Sequence, residues 1–245
     1  MPPRRFAELD YQNTPMGTVS LRRRILPGTD TEVFEAKLGD DFLMSSLFTA
    51  GEVELARKAL AEAPDRELHV VVGGLGLGYT AAALLDDSRV TELVVLEALA
   101  PVIGWHTKHL VPLGRRLTGD RRCRLVEGDF FDLAMRGRLG ADGPAGATGQ
   151  VDAIVVDIDH SPRHLLHPRH AAFYSPDGVR RLAQMLRPGG VFALWSNDPP
   201  DDEYLHRLRG SLPDAEAHVV GFPDASGQRE ASNTVYVARK EPSSG

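Results

Sequence analysis

The residues of this chain that can do chemistry recur in one position, directly after short apolar runs. Leu68-His69-Val70-Val71-Val72 ends in Gly73-Gly74-Leu75-Gly76-Leu77-Gly78. Glycine permits a tight turn and lets a ligand approach the backbone closely. A helix is expected from Tyr79, and its N-terminus would offer free N–H groups to polar ligand atoms. Nineteen residues beyond Gly78, Glu97 closes the run Leu93-Val94-Val95-Leu96. An acid at that distance accepts hydrogen bonds from ribose hydroxyls in sheets of this kind. Asp129 follows Arg124-Leu125-Val126, and Asp157 follows the run 151–156. Carboxyl ends of parallel strands face a common crevice, so Gly76, Glu97, Asp129 and Asp157 are expected on one rim.

A histidine-rich segment, DIDHSPRHLLHPRH, spans 157–170. Histidines and acids at a strand end invite a metal reading. Pro162 and Pro168 interrupt any continuous helix, so no i,i+4 ligand pair is assured and no metal is expected. His160 stands out, because it neighbours Asp159 near the rim and an imidazole is the side-chain type suited to exchanging a proton with a hydroxyl or amine. Trp195, Asn197 and Asp198 end another strand and are candidates for an acceptor pocket. Trp105 and His106 read as core packing. The arginine runs at 22–24, 115–116 and 121–122 read as solvated surface.

The elements that position these residues can be read from patterning. Residues 17–24, 32–37 and 42–44 alternate or are β-rich, with turns at 27–30 and 39–41. Residues 49–62 form a helical pattern, with Val53, Leu55, Ala56, Ala59 and Leu60 on one face, Thr49 as N-cap and Glu52 in the first turn. Helices are expected at 79–85, near 102–109, at 179–186 and at 201–212. The third of these stops at Arg187-Pro188-Gly189-Gly190. Further strands are expected at 191–195, 218–222 and 234–238, the last two as an antiparallel hairpin at one edge. Apolar strands alternating with helices mean a parallel sheet covered on both faces. The expected division is a β-strand meander over 1–48, a Rossmann-like domain over 49–240 and a frayed tail over 241–245. Residues 140–150 read as a low-complexity loop.

The 245 residues carry 28 Lys and Arg against 34 Asp and Glu, a formal charge of −6, and 42% are apolar. That apolar share supports a core and excludes disorder as the main state. The mild acidity argues against a general nucleic-acid binder. No run is long enough for a membrane helix, which needs roughly 20 apolar residues. The start MPPRRFAELDYQ has no apolar signal core, and the single Cys123 fits a reducing compartment, so a cytoplasmic chain is expected. The free edge of the meander suits pairing in a homodimer.

Together these features resemble the class I methyltransferase fold, whose cofactor is S-adenosylmethionine (SAM), and more narrowly its spermidine synthase branch. The resemblance covers roughly residues 8–240. It rests on the strand meander, the glycine turn, the step to Glu97, Gly128-Asp129, Asp157, and Phe173-Tyr174 followed by LAQMLRPGGVFAL at 182–194. It implies a Rossmann-like seven-stranded class I methyltransferase sheet with a C-terminal antiparallel hairpin, preceded by a small N-terminal β-meander. It implies Gly74, Gly76 and Gly78 beside the amino-acid part and ribose of the cofactor, Glu97 on the ribose hydroxyls, and Asp129 on the adenine amino group with Phe130 beside the ring. Asp157 would lie next to the sulfonium, with Asp159 or His160 taking a proton.

The chain departs from the branch in two places. Spermidine synthases carry G-G-G-D-G-G in the turn, where this chain has Leu77 at the acid's place and Tyr79 at the following glycine. They carry D-S-S-D-P after the fourth strand, where this chain has Asp157-Ile158-Asp159-His160-Ser161-Pro162. An incomplete polyamine pocket puts a methyltransferase acting on a small molecule first. An aminopropyltransferase using decarboxylated SAM in polyamine synthesis comes second, and a catalytically silent binding protein third. A nicotinamide-dependent dehydrogenase is disfavoured by the terminal hairpin and by Asp129.

Overall fold

The computed structural model describes residues 5–139, 150–223 and 230–242. Of the expected 140–150 loop only Gln150 lies among them. The turn between the last two strands and the end of the tail lie outside them.

Four antiparallel strands come first: β1 (Phe6–Thr14), β2 (Gly17–Ile25), β3 (Glu32–Leu38) and β4 (Asp41–Ser45), paired in that order. The first was not anticipated, because FAELDYQNT buries none of its residues fully and lacks clean alternation. The inward positions Val19, Leu21, Ala36 and Leu38 are buried and join the main core.

Helix α1 (Ala50–Glu62) leads into the larger sheet, whose strands are β5 (Leu68–Gly73), β6 (Val90–Glu97), β7 (Cys123–Glu127), β8 (Val151–Val156), β9 (Leu186–Ser196), β10 (Glu216–Pro223) and β11 (Glu230–Arg239). Their order is β10-β11-β9-β8-β5-β6-β7. The β5, β6, β7, β8 and β9 contacts are parallel, and β11 pairs antiparallel with both β9 and β10. The expected sheet and edge hairpin are therefore present. Every residue of β8 is buried, as a strand covered on both faces requires.

The connecting helices are α2 (Tyr79–Leu85), α3 (Ala100–Thr107), α4 (Gly114–Gly119), α5 (Phe130–Met135), α6 (Pro176–Met185) and α7 (Asp202–Arg209), with a 3-10 helix at Pro168–Ala172. Two apolar clusters sandwich the sheet. One includes Leu55, Leu77, Leu84, Trp105 and the inner face of the small sheet. The other gathers Phe130, Phe131, Phe173, Tyr174, Phe192 and Tyr204.

Two local expectations are corrected. Thr49 stands at the N-cap of α1, but its side chain makes no capping bond. The Arg187-Pro188-Gly189-Gly190 turn does not precede β9 but is absorbed into it. The pairing register with β8 jumps from Val151–Leu186 to Ala153–Val191, and Gly189 takes φ +74 to make the irregularity.

Candidate active site

The chain runs from β5 outward to β6 and β7, then returns to β8 on the other side of β5. Ligands bind in the crevice at such a reversal, beyond the carboxyl ends of the strands. A cavity of about 530 Å3 opens there, roofed by β3, β4 and the start of α1. Its walls take in Gly74, Gly76, Glu97, Asp129, Phe130, Asp157 and His160, all anticipated from the sequence.

The glycine turn is tightly built. Gly74 has φ +95, and a Cβ there would collide with the Asp157 carbonyl oxygen, so glycine is what lets β5 and β8 end side by side. Its amides are already engaged. Gly74 N donates to Leu96 O (2.9 Å), Leu75 N to Glu97 Oε2 (3.0 Å), Leu77 N to Met44 Sδ (2.9 Å) and Gly78 N to Leu75 O (2.8 Å). Glu97 Oε1 also accepts from Leu99 N (2.9 Å). Burial raises the Glu97 pKa, and backbone donors from Leu99, Leu75, Gly76 and Ala98 oppose that rise. Its carboxylate thus faces the crevice and is held in place by the turn.

Gly78 is not part of the cavity. It caps α2 at φ +92, and a Cβ there would meet Leu117 and His106 at 2.6 and 2.8 Å. Its glycine is needed for packing, which corrects the expected ligand contact. His106 is fully buried beneath the turn, with Nε2 2.9 Å from Gly76 O.

Asp157 Oδ2 accepts from Thr80 Oγ1 at 2.7 Å. Burial raises its pKa. Across the cavity stands Glu52, from the first turn of α1. Its pKa is raised by burial first and then by the charge of Asp157. Two carboxyls that resist joint ionisation share a proton more readily than either alone would hold one. The sequence reading placed Glu52 only as a first-turn acid. Its spacing to Leu55, Ala56 and Ala59 sets it on the buried stripe of the helix, and an acid on that stripe was the available signal.

Asp159 does not reach the cavity, which corrects its expected catalytic role. It is 1% exposed and turned into the second core. Its Oδ1 accepts from Leu166 N (2.8 Å) and pairs with His170 Nδ1 (2.8 Å), and its Oδ2 accepts from Tyr174 OH (3.0 Å). His170, not singled out from sequence, is what Asp159 presents to the cavity wall.

The segment after β8 is pinned to the loop after β9. Arg163 donates to both Asp201 oxygens (2.5 and 2.8 Å), His164 Nδ1 lies 2.7 Å from Asp198 Oδ2, and Asn197 N donates to His160 O (2.7 Å). Trp195 and Asn197 line the cavity, whereas Asp198 does not. The histidines of the segment do not converge on one point: His164 faces Asp198, His170 faces Asp159 with the His167 ring 5.8 Å from its own, and His160 lines the cavity. Among the described residues no group of three or more His, Cys, Asp or Glu is placed to hold a metal ion.

The electrostatics are one-sided. Four carboxyls, Glu52, Glu97, Asp129 and Asp157, line the cavity, and no Lys or Arg does so among the described residues. Much of the remaining wall is apolar, from Leu38, Phe42, Leu43, Phe48, Ile158 and Trp195, with neutral polar groups from Ser45, Asn197 and Asn233. Such a space suits a ligand with positive charge on a partly apolar body.

No protein-family model matches the sequence. Solved structures do resemble it. A spermidine synthase in complex with the transition-state analogue AdoDATO superposes with a TM-score of 0.73 at 15% identity, covering 95% of this chain and 73% of that one. The spermidine synthase from Thermotoga maritima superposes with a TM-score of 0.70 at 15% identity, covering 95% and 72%. The chain has the spermidine synthase fold, a Rossmann-like α/β sheet of the class I methyltransferase type with a separate four-stranded antiparallel sheet.

Proposed function

We propose that this chain transfers an alkyl group from an adenosine-bearing sulfonium donor to an amine, and that the group is aminopropyl, from decarboxylated SAM. The observation that carries this is the charge of the cavity: four carboxyls and, among the described residues, no Lys or Arg. Intact SAM would bring a carboxylate into that space. The turn amides that serve anions elsewhere are already bonded to Leu96, Glu97, Met44 and Leu75. The decarboxylated donor carries only positive charge outside its base and sugar. The two spermidine synthase structures share the fold, which supports the same reading.

The donor supplies an electrophilic carbon whose leaving group is a neutral thioether. The residues hold and prepare the partners. Glu97, held by backbone donors from Leu75, Gly76, Ala98 and Leu99, presents its carboxylate where the ribose hydroxyls would lie. Asp129 caps α5 through Asp132 N (3.1 Å) and has a second oxygen for the base. An ammonium must lose a proton before it attacks. Asp157, which burial raises only to about 6, accepts it, with Glu52, raised to about 8, as the protonated partner of the pair and His160 on the same wall. The new N–C bond forms as the C–S bond breaks, and its electron pair stays on sulfur. The rest is alignment.

Methyl transfer from intact SAM is the second reading. It is favoured by Leu77, fully buried and apolar where the resembled turn carries an acid for the aminopropyl amine. One experiment separates the two. The chain is incubated with SAM or its decarboxylated form and a panel of amines, and products are identified by mass spectrometry. Aminopropylated amine and methylthioadenosine are expected from the decarboxylated donor alone. Methylated product would reverse the order. No transfer and no ligand-induced melting shift with either donor would reject both.

A further inference from the structure

We propose that His170 reads the base of the bound nucleoside, its Nε2 accepting a hydrogen bond from the amino group of a 6-aminopurine while Asp159 fixes the required tautomer. This deepens the transferase reading and rests on it for the presence of a nucleoside. The strand order locates the base. A sugar held by Glu97 at the end of β6 continues toward the end of β7, where Gly128, Asp129, Phe130 and Phe131 line the cavity. The His170 ring stacks on Phe131 there, with centroids 3.9 Å apart and planes inclined by 22°.

The chemistry follows from Asp159. An ionised carboxylate only accepts, and Asp159 takes donors from the Leu166 amide and the Tyr174 hydroxyl as well as facing His170 Nδ1. The proton of the neutral imidazole therefore sits on Nδ1, and Nε2 keeps a lone pair. Nε2 has no hydrogen-bond partner among the described residues, and His170 is one of the residues that line the cavity. Asp129 is the other acceptor at this end. Two acceptors match the two hydrogens of an adenine amino group. A 6-oxopurine would set oxygen against both. The Tyr174 bond, the Phe131 stack and the burial of Asp159 are what hold the ring to this one orientation.

Calorimetric titration with 5′-methylthioadenosine and 5′-methylthioinosine tests this. The unaltered chain is expected to prefer the amino compound about tenfold or more, the scale of one hydrogen bond against a repulsive contact. His170→Phe keeps a ring over Phe131 and removes Nε2, so the ratio should fall toward one through loss of the amino compound alone. Asp159→Asn retains an oxygen toward Leu166 N and Nδ1, and should preserve the preference. Should His170→Phe fold poorly because Asp159 is stranded, the double variant with Asp159→Asn removes that charge and makes the same test. A merely structural role would weaken both nucleosides equally and overturn the proposal. So would equal binding of both nucleosides by the unaltered chain, which leaves the transferase reading standing. Binding of neither overturns both.

Discussion

The Met44 sulfur lies 2.9 Å from the Leu77 amide nitrogen, so a side chain of the small sheet closes over the glycine turn of the large one. A Cβ on Gly76 would sit 2.5 Å from the same sulfur. Thioethers are weak acceptors, so Leu77 N–H is the turn amide most easily reclaimed by an oxygen. Met44→Ala should free it. We expect SAM, which has a carboxylate to place there, to gain affinity relative to decarboxylated SAM, by about threefold to tenfold for one recovered bond. Titration of both donors against both proteins measures the ratio. An unchanged ratio would show that the amide is not a carboxylate site.

Glu52 and Asp157 make stability fall with rising pH. Burial raises the Glu52 pKa in the folded chain above the unfolded value of about 4.3. Between those two values the folded state binds more protons than the unfolded state, so stability declines as pH climbs and levels off above the folded value. Glu52→Gln keeps the shape and never ionises. It should flatten this slope and stabilise the chain at alkaline pH by about 1–3 kcal/mol, the scale of a relieved buried polar group. It should also weaken amine binding, because one of the two carboxylates is gone. Melting curves across pH give the first result and titration with an amine gives the second.

Asp152 provides the contrast, a buried acid without a role in the cavity. It is fully enclosed at the start of β8, with Arg66 Nη2 at 2.9 Å, Arg187 Nη1 at 2.6 Å and His69 N donating at 3.0 Å. Both arginines are partly exposed and can turn to water when the acid is lost, whereas the His69 amide is stranded. Asp152→Ala should therefore cost about 1–3 kcal/mol. The strand separates it from Asp157 by five residues, roughly 16 Å, so donor affinity should not move. Chemical denaturation and nucleoside titration on the same variant test both halves.

The parallel sheet was legible because continuous apolar runs such as Val70-Val71-Val72 and Val151–Val156 admit few other readings. Helix α2 was expected over the residues it occupies, since the glycine turn marks its start. The rim acids Glu97, Asp129 and Asp157 followed from strand ends. What escaped was set by tertiary contacts. Asp159 and His160 are adjacent in sequence but part company in space, one into the aromatic core and one into the cavity. His170 becomes a wall residue only because Asp159 and Phe131 orient its ring. Met44 reads as a strand residue and gains its role from docking across two sheets. Short helices α4 and α5 were missed because six residues leave too little periodicity to read.

Gly51 sets helix propensity against packing, and here packing wins. Alanine is favoured over glycine by about 1 kcal/mol in a helix interior, an upper bound for Gly51 in the first turn of α1. At Gly51 a Cβ would stand 2.5 Å from Trp195 Nε1 and 2.6 Å from Asn233 Oδ1, two groups on the cavity wall. Trp195 Nε1 is enclosed and has no hydrogen-bond partner, so the indole has little room to yield. Overpacking of this kind costs about 1–3 kcal/mol, enough to outweigh the propensity gain. The strain has a nearby outlet, because Glu52 is the next residue and shifts with the helix turn. Gly51→Ala is therefore expected to lower the melting temperature and to weaken amine binding more than nucleoside binding, since Glu97 and Asp129 lie on other elements. Equal loss for both ligands, or a stabilised chain, would mean that α1 slides as a rigid body and that the position of Glu52 does not depend on contact with Trp195.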